Sequence, residues 1–198
     1  MTPSRADLPP ARRSLMAGVL ACAMLSACAS THMGTTTSAP TADADAAIQS
    51  QMADPRHDVV FLTRAMQSDM FEIGASQLAL QQASSPQVRQ FAQRMVQDHT
   101  QNSAELKQLA ARKGMTTQPA LLPADAARLQ KMQAAQGAAF DRLYAEMVAV
   151  QAHAEAVALF DQEAAQGSDM ELRSFAAQKI PTLQHHLQMG QALRASLQ

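Results

Sequence analysis

The sequence predicts an all-α protein, a four-helix bundle with an extra short helix in the connection between the second and third long helices. Three observations carry this prediction. Apolar residues recur at spacings of three and four through four long windows, as they do where a helix buries one face. Between the windows stand helix stops and starts: Ser84-Ser85-Pro86, Gly114, Pro119 with Pro123, and Gly167-Ser168-Asp169. Aromatic residues make up only 4%, with no Trp and one Tyr. Strands draw on β-branched and aromatic residues, whereas the Ala, Leu, Met and Gln of this chain favour helices.

The first element in the chain is an address rather than part of the fold. Arg5, Arg12 and Arg13 precede an apolar run from Leu15 to Leu25, which ends in Leu25-Ser26-Ala27-Cys28. The run has the length of a signal-peptide core and is short for a bilayer span. Leu, two small residues and Cys resemble the lipobox of a bacterial lipoprotein. Residues 1–27 are therefore expected to be a lipoprotein signal peptide, with Cys28 as the lipidated first residue of the mature chain. Cleavage would remove three Arg and one Asp and move the net charge from −1 to −3. Cys22 would leave with the signal, so no free thiol remains for catalysis. Residues 28–53, rich in Thr, Ser, Ala, Asp and Pro, read as the lipid-anchored Cys and a disordered tether. Within or beside the tether, His32 and His57 read as solvated.

Residues 54–198 form the predicted helical bundle domain. Asp54-Pro55 suits a helix start. The first long helix should run to about Ala83, with Leu62, Ala65, Asp69, Glu72, Ile73, Ser76 and Leu80 at helical spacing. A Ser cap with Pro86 opens the second, which should run to about Lys113 with Val88, Phe91, Ala92, Met95, His99, Leu106 and Leu109 inward. A weaker helix is expected over 124–136. The third long helix should span about 138–165, with Phe140, Leu143, Met147, Val150, Val157 and Phe160 as its apolar positions. Ser168-Asp169-Met170-Glu171 matches a capping box, Ser followed three residues later by Glu. It should open the fourth helix, ending near Ser196 and kinked near Ala177 by Pro181. Long helices of roughly 28 residues are about 42 Å in length.

Each long helix carries one inward residue with metal-ligating chemistry: Glu72, His99, His153 and His186. Bundle cores are where metal sites are built from facing helices. The usual di-iron carboxylate signature is absent, since none of Glu72, Glu105, Glu146, Glu155, Glu163 and Glu171 has His three residues later. Two readings of the four residues stay open. In one, they form a histidine-rich site for zinc, copper or iron. In the other, they form a buried polar network with Asp69, Asp98, Asp141 and Tyr144 that fixes helix register without any cofactor. No catalytic motif is present. Near-neutral charge and scarce aromatics argue against a nucleic-acid partner.

Several segments together resemble a known family. These are Asp69-Met70-Phe71-Glu72-Ile73, Ser85-Pro86-Gln87-Val88-Arg89-Gln90-Phe91-Ala92 with Met95-Val96-Gln97-Asp98-His99, Phe140-Asp141-Arg142-Leu143-Tyr144 with His153, and Pro181-Thr182-Leu183-Gln184-His185-His186-Leu187. They resemble the bacterial family catalogued as domain of unknown function 4142, over roughly residues 55–195. The resemblance implies a ferritin-like bundle, commonly exported or lipid-anchored. It singles out Glu72, Asp98, His99, Asp141, Tyr144, His153, Pro181 and His186.

The functional expectation is a lipid-anchored protein on the periplasmic face of the outer membrane. It would be held to the membrane through Cys28 and have an interaction or stress-related role, with an envelope protein as partner and without catalysis. The alternative is a metal-binding or redox ferritin-like bundle using the inward His and Glu residues.

Overall fold

A computed structural model describes residues 55–198. The expected signal peptide, Cys28 and the tether lie outside these residues. The described residues form helices and no strand. They are α1 (Pro55–Gln82), α2 (Pro86–Arg112), α3 (Pro123–Gln133), α4 (Gly137–Tyr144), a π-helical segment (Ala145–Ala152), α5 (His153–Gln166) and α6 (Met170–Ser196). The segments α4, π and α5 are contiguous and make one rod. Four long rods plus the short α3 give the expected all-α bundle, with α3 in the predicted place. No helix among the described residues is long and apolar enough to cross a membrane.

Local chemistry sets the boundaries. Ser85 caps α2, accepting from the Val88 N–H, with Pro86 in the first turn. Gly114, at φ 63, ends the α2 region in the left-handed conformation that glycine adopts without steric penalty. The cap of α6 differs from the expected box. Asp169, not Ser168, accepts from the Glu171 and Leu172 N–H groups. The Ser168 hydroxyl goes instead to Asp58. The helix α6 continues past Pro181. Pro181 and Ala177 both lie on its exposed face, where water can satisfy the carbonyl that loses its donor.

Two reciprocal carboxylate clamps set how the hairpins meet. Asp58 of α1 accepts from the Ser168 and Asp169 N–H groups at 2.9 and 3.0 Å, tying α1 to the α5–α6 turn. Asp141 of α4 accepts from the Ser84 and Ser85 N–H groups at 3.1 and 2.9 Å, tying α4 to the α1–α2 turn. Each also takes the first serine's hydroxyl. Asp141 therefore holds a turn and does not join the histidines, contrary to its expected supporting role.

The core has two apolar compartments. Phe71, Phe91, Phe140, Tyr144 and Val148 belong to one, and Phe61, Leu62, Leu106, Phe160 and Leu172 to the other. On α1 the buried residue is Ala79 rather than the expected Leu80, which is exposed. On each of α2, the α4–α5 rod and α6, one stretch packs in one compartment and a second stretch in the other. His99, His153 and His186 fall at the transitions, and Glu72 lies just past the transition on α1, directly after Phe71.

Candidate metal centre

The crossing of α6 over the π segment positions two of the histidines. A Cβ on Gly190 would collide with the Ala149 carbonyl oxygen, so only glycine allows this backbone approach. His186 lies one turn before Gly190, and His153 lies one turn after Ala149. Because α5 and α6 form a hairpin, the two turns run to the same side of the crossing. The imidazole centroids are 5.4 Å apart. The hairpin of α1 and α2 brings Glu72 and His99 to the same layer. The His99 ring centre is 5.4 Å from that of His153 and 5.8 Å from that of His186.

All four side chains are buried, with Glu72 and His153 fully so. Glu72 Oε2 lies 3.2 Å from His99 Nε2 and 3.1 Å from His153 Nε2. The two Nε2 atoms are 3.4 Å apart. One ligand nitrogen from each of the three histidines lies within 4.8 Å of the others.

Every histidine is held from behind by an acceptor for its other nitrogen. His99 Nδ1 donates to Asp69 at 2.8 Å, and Asp69 is braced by the Asn102 amide. His153 Nδ1 donates to the Val148 carbonyl at 2.9 Å, five residues back in the π segment. His186 Nε2 donates to Asp98 at 2.9 Å. Behind Glu72, the Ser68 hydroxyl donates to Oε1 at 3.0 Å. Such outer contacts fix ring orientation, and on a neutral ring they leave the inward nitrogen with its lone pair, as behind metal-bound imidazoles. The π segment has a role here, since its altered backbone bonding offers the Val148 oxygen to a side chain of the same rod.

The inward atoms are treated differently. Glu72 Oε2 and His186 Nδ1 are buried and find no hydrogen-bond partner among the described residues. Glu72 Oε2 is near two ring nitrogens by distance, but the ring N–H directions miss it. Three donor atoms with edges of 3.1, 3.2 and 3.4 Å fit one ion. Ligands held at ~2.0–2.1 Å with tetrahedral angles are ~3.3–3.4 Å apart.

The electrostatics agree with this arrangement. Burial works against charge on His99, but the carboxylates of Glu72 and Asp69 overcome it and raise its pKa to about 9. The same carboxylates favour any cation at that point. Burial lowers the pKa of His153. Burial, then the neighbouring rings His153 and His99, brings His186 down to about 4. Those two rings are neutral at pH 7 and able to act as ligands. A cleft between α2 and α6, lined by Arg94, Asp98, Asn102, Thr182 and Leu183, reaches His99 and His186 from outside.

Of the supporting residues expected from sequence, Asp69 and Asp98 serve the cluster directly. Tyr144 does not touch it. Its hydroxyl is 2.8 Å from the Ser76 hydroxyl, and Phe91 packs edge-on between Tyr144 and His153. Sequence reasoning missed Ser68, Asn102 and Val148. The first two sit one turn from Glu72 and His99, which is the only trace they leave in the sequence.

The profile of the family described as a domain of unknown function, DUF4142, matches residues 40–193. The chain belongs to that family. No curated protein matches it. Among solved structures, the chain is similar to a DUF305 fragment from Deinococcus radiodurans. The TM-score is 0.64 at 15% identity, covering 73% of this chain and 98% of that one. It is also similar to CopM in its Cu(I)-bound form (TM-score 0.57, 19% identity, 70% and 96% covered) and in its Cu(II)-bound form (0.56, 16%, 71% and 97%). These likenesses establish a shared helical-bundle fold.

Proposed function

We propose that this DUF4142 protein binds one divalent transition-metal ion, copper or zinc, through His99, His153, His186 and Glu72. The observation that carries the reading is the split between outer and inner polar atoms. Each outer nitrogen has an acceptor; of the inner atoms, His99 Nε2 and His153 Nε2 face each other at 3.4 Å, while Glu72 Oε2 and His186 Nδ1 are buried without partners. A network built only to fix helix register would leave no inner atom orphaned as these two are, because an orphaned buried polar group is costly. Imidazole and carboxylate donors suit copper(II) and zinc, whereas copper(I) prefers thiolate and thioether. CopM, a neighbour of the same fold, is named for copper-bound forms, in agreement with this class of ligand.

The role is binding rather than turnover. His153 and His186 present lone pairs, His99 gives up its Nε2 proton as the ion binds, Glu72 supplies negative charge, and Asp69 and Asp98 orient the rings. The cleft at α2 and α6 gives the ion a way in and out. We place this bundle in the envelope, tethered through Cys28, on the strength of the Leu25-Ser26-Ala27-Cys28 sequence.

The test is copper(II) binding to the full-length, tag-free protein, followed by mass spectrometry and by electron paramagnetic resonance for coupling to several imidazole nitrogens. His99→Ala and His153→Ala should each abolish that signal while helicity is retained. Copper binding that is unchanged in either folded variant would overturn the assignment.

A further inference from the structure

A second cluster with the same signature lies where α1 begins and α5 turns into α6. We propose that His57, Asp58 and Glu163 form a separate site for a divalent cation of the zinc or manganese class. Glu163 is ten residues beyond His153 on α5, roughly 15 Å along the helix. The inference does not depend on the histidine centre.

The first support is burial without satisfaction. Glu163 is 0% exposed, and both of its carboxylate oxygens lack a hydrogen-bond partner among the described residues. His57 Nδ1 is also buried and unpartnered. It lies 3.1 Å from Glu163 Oε2, yet outside hydrogen-bond geometry, and 4.0 Å from Asp58 Oδ1. One ligand atom from each residue lies within 4.8 Å of the others. Neighbouring and opposite ligands at ~2.0–2.1 Å from one ion are ~2.9–4.2 Å apart, which covers both distances.

The second support is how the carboxylates are held. Asp58 is fixed by the Ser168 and Asp169 N–H groups, as outer-shell contacts orient a ligating carboxylate. Oδ1 accepts a single one of these bonds and keeps a lone pair. Gly167 has a φ of −56, which any residue adopts, so conformation does not require glycine there. Space does: a Cβ at 167 would collide with Glu163 Oε1. The turn is thus shaped around an inward carboxylate whose close neighbours are His57 and Asp58.

The third support is charge. Burial, then the Asp58 carboxylate, raises the Glu163 carboxyl to about 7, with Asp169 adding to the effect and Arg173 opposing it. A cation among these groups relieves that repulsion. One imidazole and two carboxylates make a harder donor set than three imidazoles, hence zinc or manganese. His57, with 28% of its side chain exposed, leaves an approach from solvent. The sequence placed His57 in solvent because its partner lies far along the chain on α5.

The experiment is zinc titration of the full-length protein by calorimetry, with cobalt(II) absorption as a spectroscopic probe. The wild type should take up two ions. Glu163→Gln and His57→Ala should each lose one and keep the other, with unchanged circular dichroism. The double variant His99→Ala/His153→Ala should keep the ion that those two lose, so failure of either site is read separately. Two results overturn the proposal. One is wild-type zinc uptake in both Glu163→Gln and His57→Ala. The other is a Glu163→Gln protein that gains thermal stability with no change in metal, which would leave a proton shared by Asp58 and Glu163 as the sole occupant.

Discussion

Asp98→Ala separates metal binding from structural support, because Asp98 acts on the proposed ion only through His186. Its Oδ2 takes His186 Nε2 and the Arg94 Nε, each at 2.9 Å, on the rim of the cleft. Burial opposes ionisation of Asp98, but these two donors hold its carboxyl below the ordinary 3.8. Without this acceptor, the imidazole is free to place a proton on Nδ1, the nitrogen that otherwise carries the inward lone pair. Loss of such an outer partner costs about 10–100-fold in metal affinity, or ~1.4–2.7 kcal/mol. Folding should change little, because Asp98 and His186 line the cleft and water there can take over as the acceptor for His186 Nε2. The Arg94–Asp98 pair spans one helical turn, with side chains 55% and 25% exposed, and such pairs contribute ~0.3–0.5 kcal/mol. Alanine in a helix recovers up to ~0.7 kcal/mol relative to aspartate. The expected result is copper(II) affinity reduced by one to two orders of magnitude at an unchanged metal-free melting temperature. Glu105→Ala, which removes the same charge from the same helix, is the control and should bind normally. Wild-type affinity in Asp98→Ala would refute the reasoning, as would an equal loss in Glu105→Ala.

Three further predictions concern the fold and its ionisation. Gly190→Ala should destabilise by about 1–3 kcal/mol or more in urea unfolding, since its Cβ meets the Ala149 backbone rather than a movable side chain. An unchanged midpoint would mean that the crossing does not set the positions of His153 and His186. Asp141→Ala should cost about 1–3 kcal/mol by leaving two backbone donors of the α1–α2 turn unpaired, without altering copper(II) affinity. Equal losses of stability and affinity would return Asp141 to the metal cluster. Burial, opposed by Arg128, raises the Asp125 carboxyl above 3.8. The ionised form is then disfavoured in the folded state, so this contribution to stability declines as pH rises through and above 3.8. Asp125→Asn should gain on the wild type across that window, and a pH-independent difference in urea midpoints would count against it.

Much of this architecture was legible because local chemistry fixes it. Ser85 with Pro86, Gly114 and Gly167 mark the helix ends, and the inward positions of Glu72, His99, His153 and His186 follow from helical spacing. That spacing gives a face, not a height along the bundle. The common layer depends on the Gly190–Ala149 crossing, which no local pattern announces. The π segment escaped for the same reason: its Ala-Val-rich stretch reads as ordinary helix, and its altered bonding goes with packing against α6. Asp141 and Asp58 look like ordinary polar positions near helix starts, yet each is claimed by a serine turn on a distant hairpin. Asp169 took the cap from Ser168 because Asp58 engaged the serine. The His57–Glu163 approach joins the start of α1 to α5, far apart in the chain. Gly167, four residues after Glu163, was its one local signal.

The position of the histidine layer argues against a purely structural role. Apolar compartments flank it on both sides, so an apolar layer there would extend a continuous core and in general stabilise as well or better. The chain instead carries two carboxylates and three imidazoles at 0–3% exposure there. Their outer atoms spend hydrogen bonds on orientation, drawing in Ser68, Asn102, Asp98 and the Val148 carbonyl. Register could be fixed with fewer groups, and none would be left as Glu72 Oε2 and His186 Nδ1 are, buried without a partner. Orientation of lone pairs toward a common point gains nothing for register. It gains a great deal for binding a cation, since aligned donors lose little freedom when the ion arrives. The arrangement is best understood as stability given up in the middle of the bundle for a site prepared in advance.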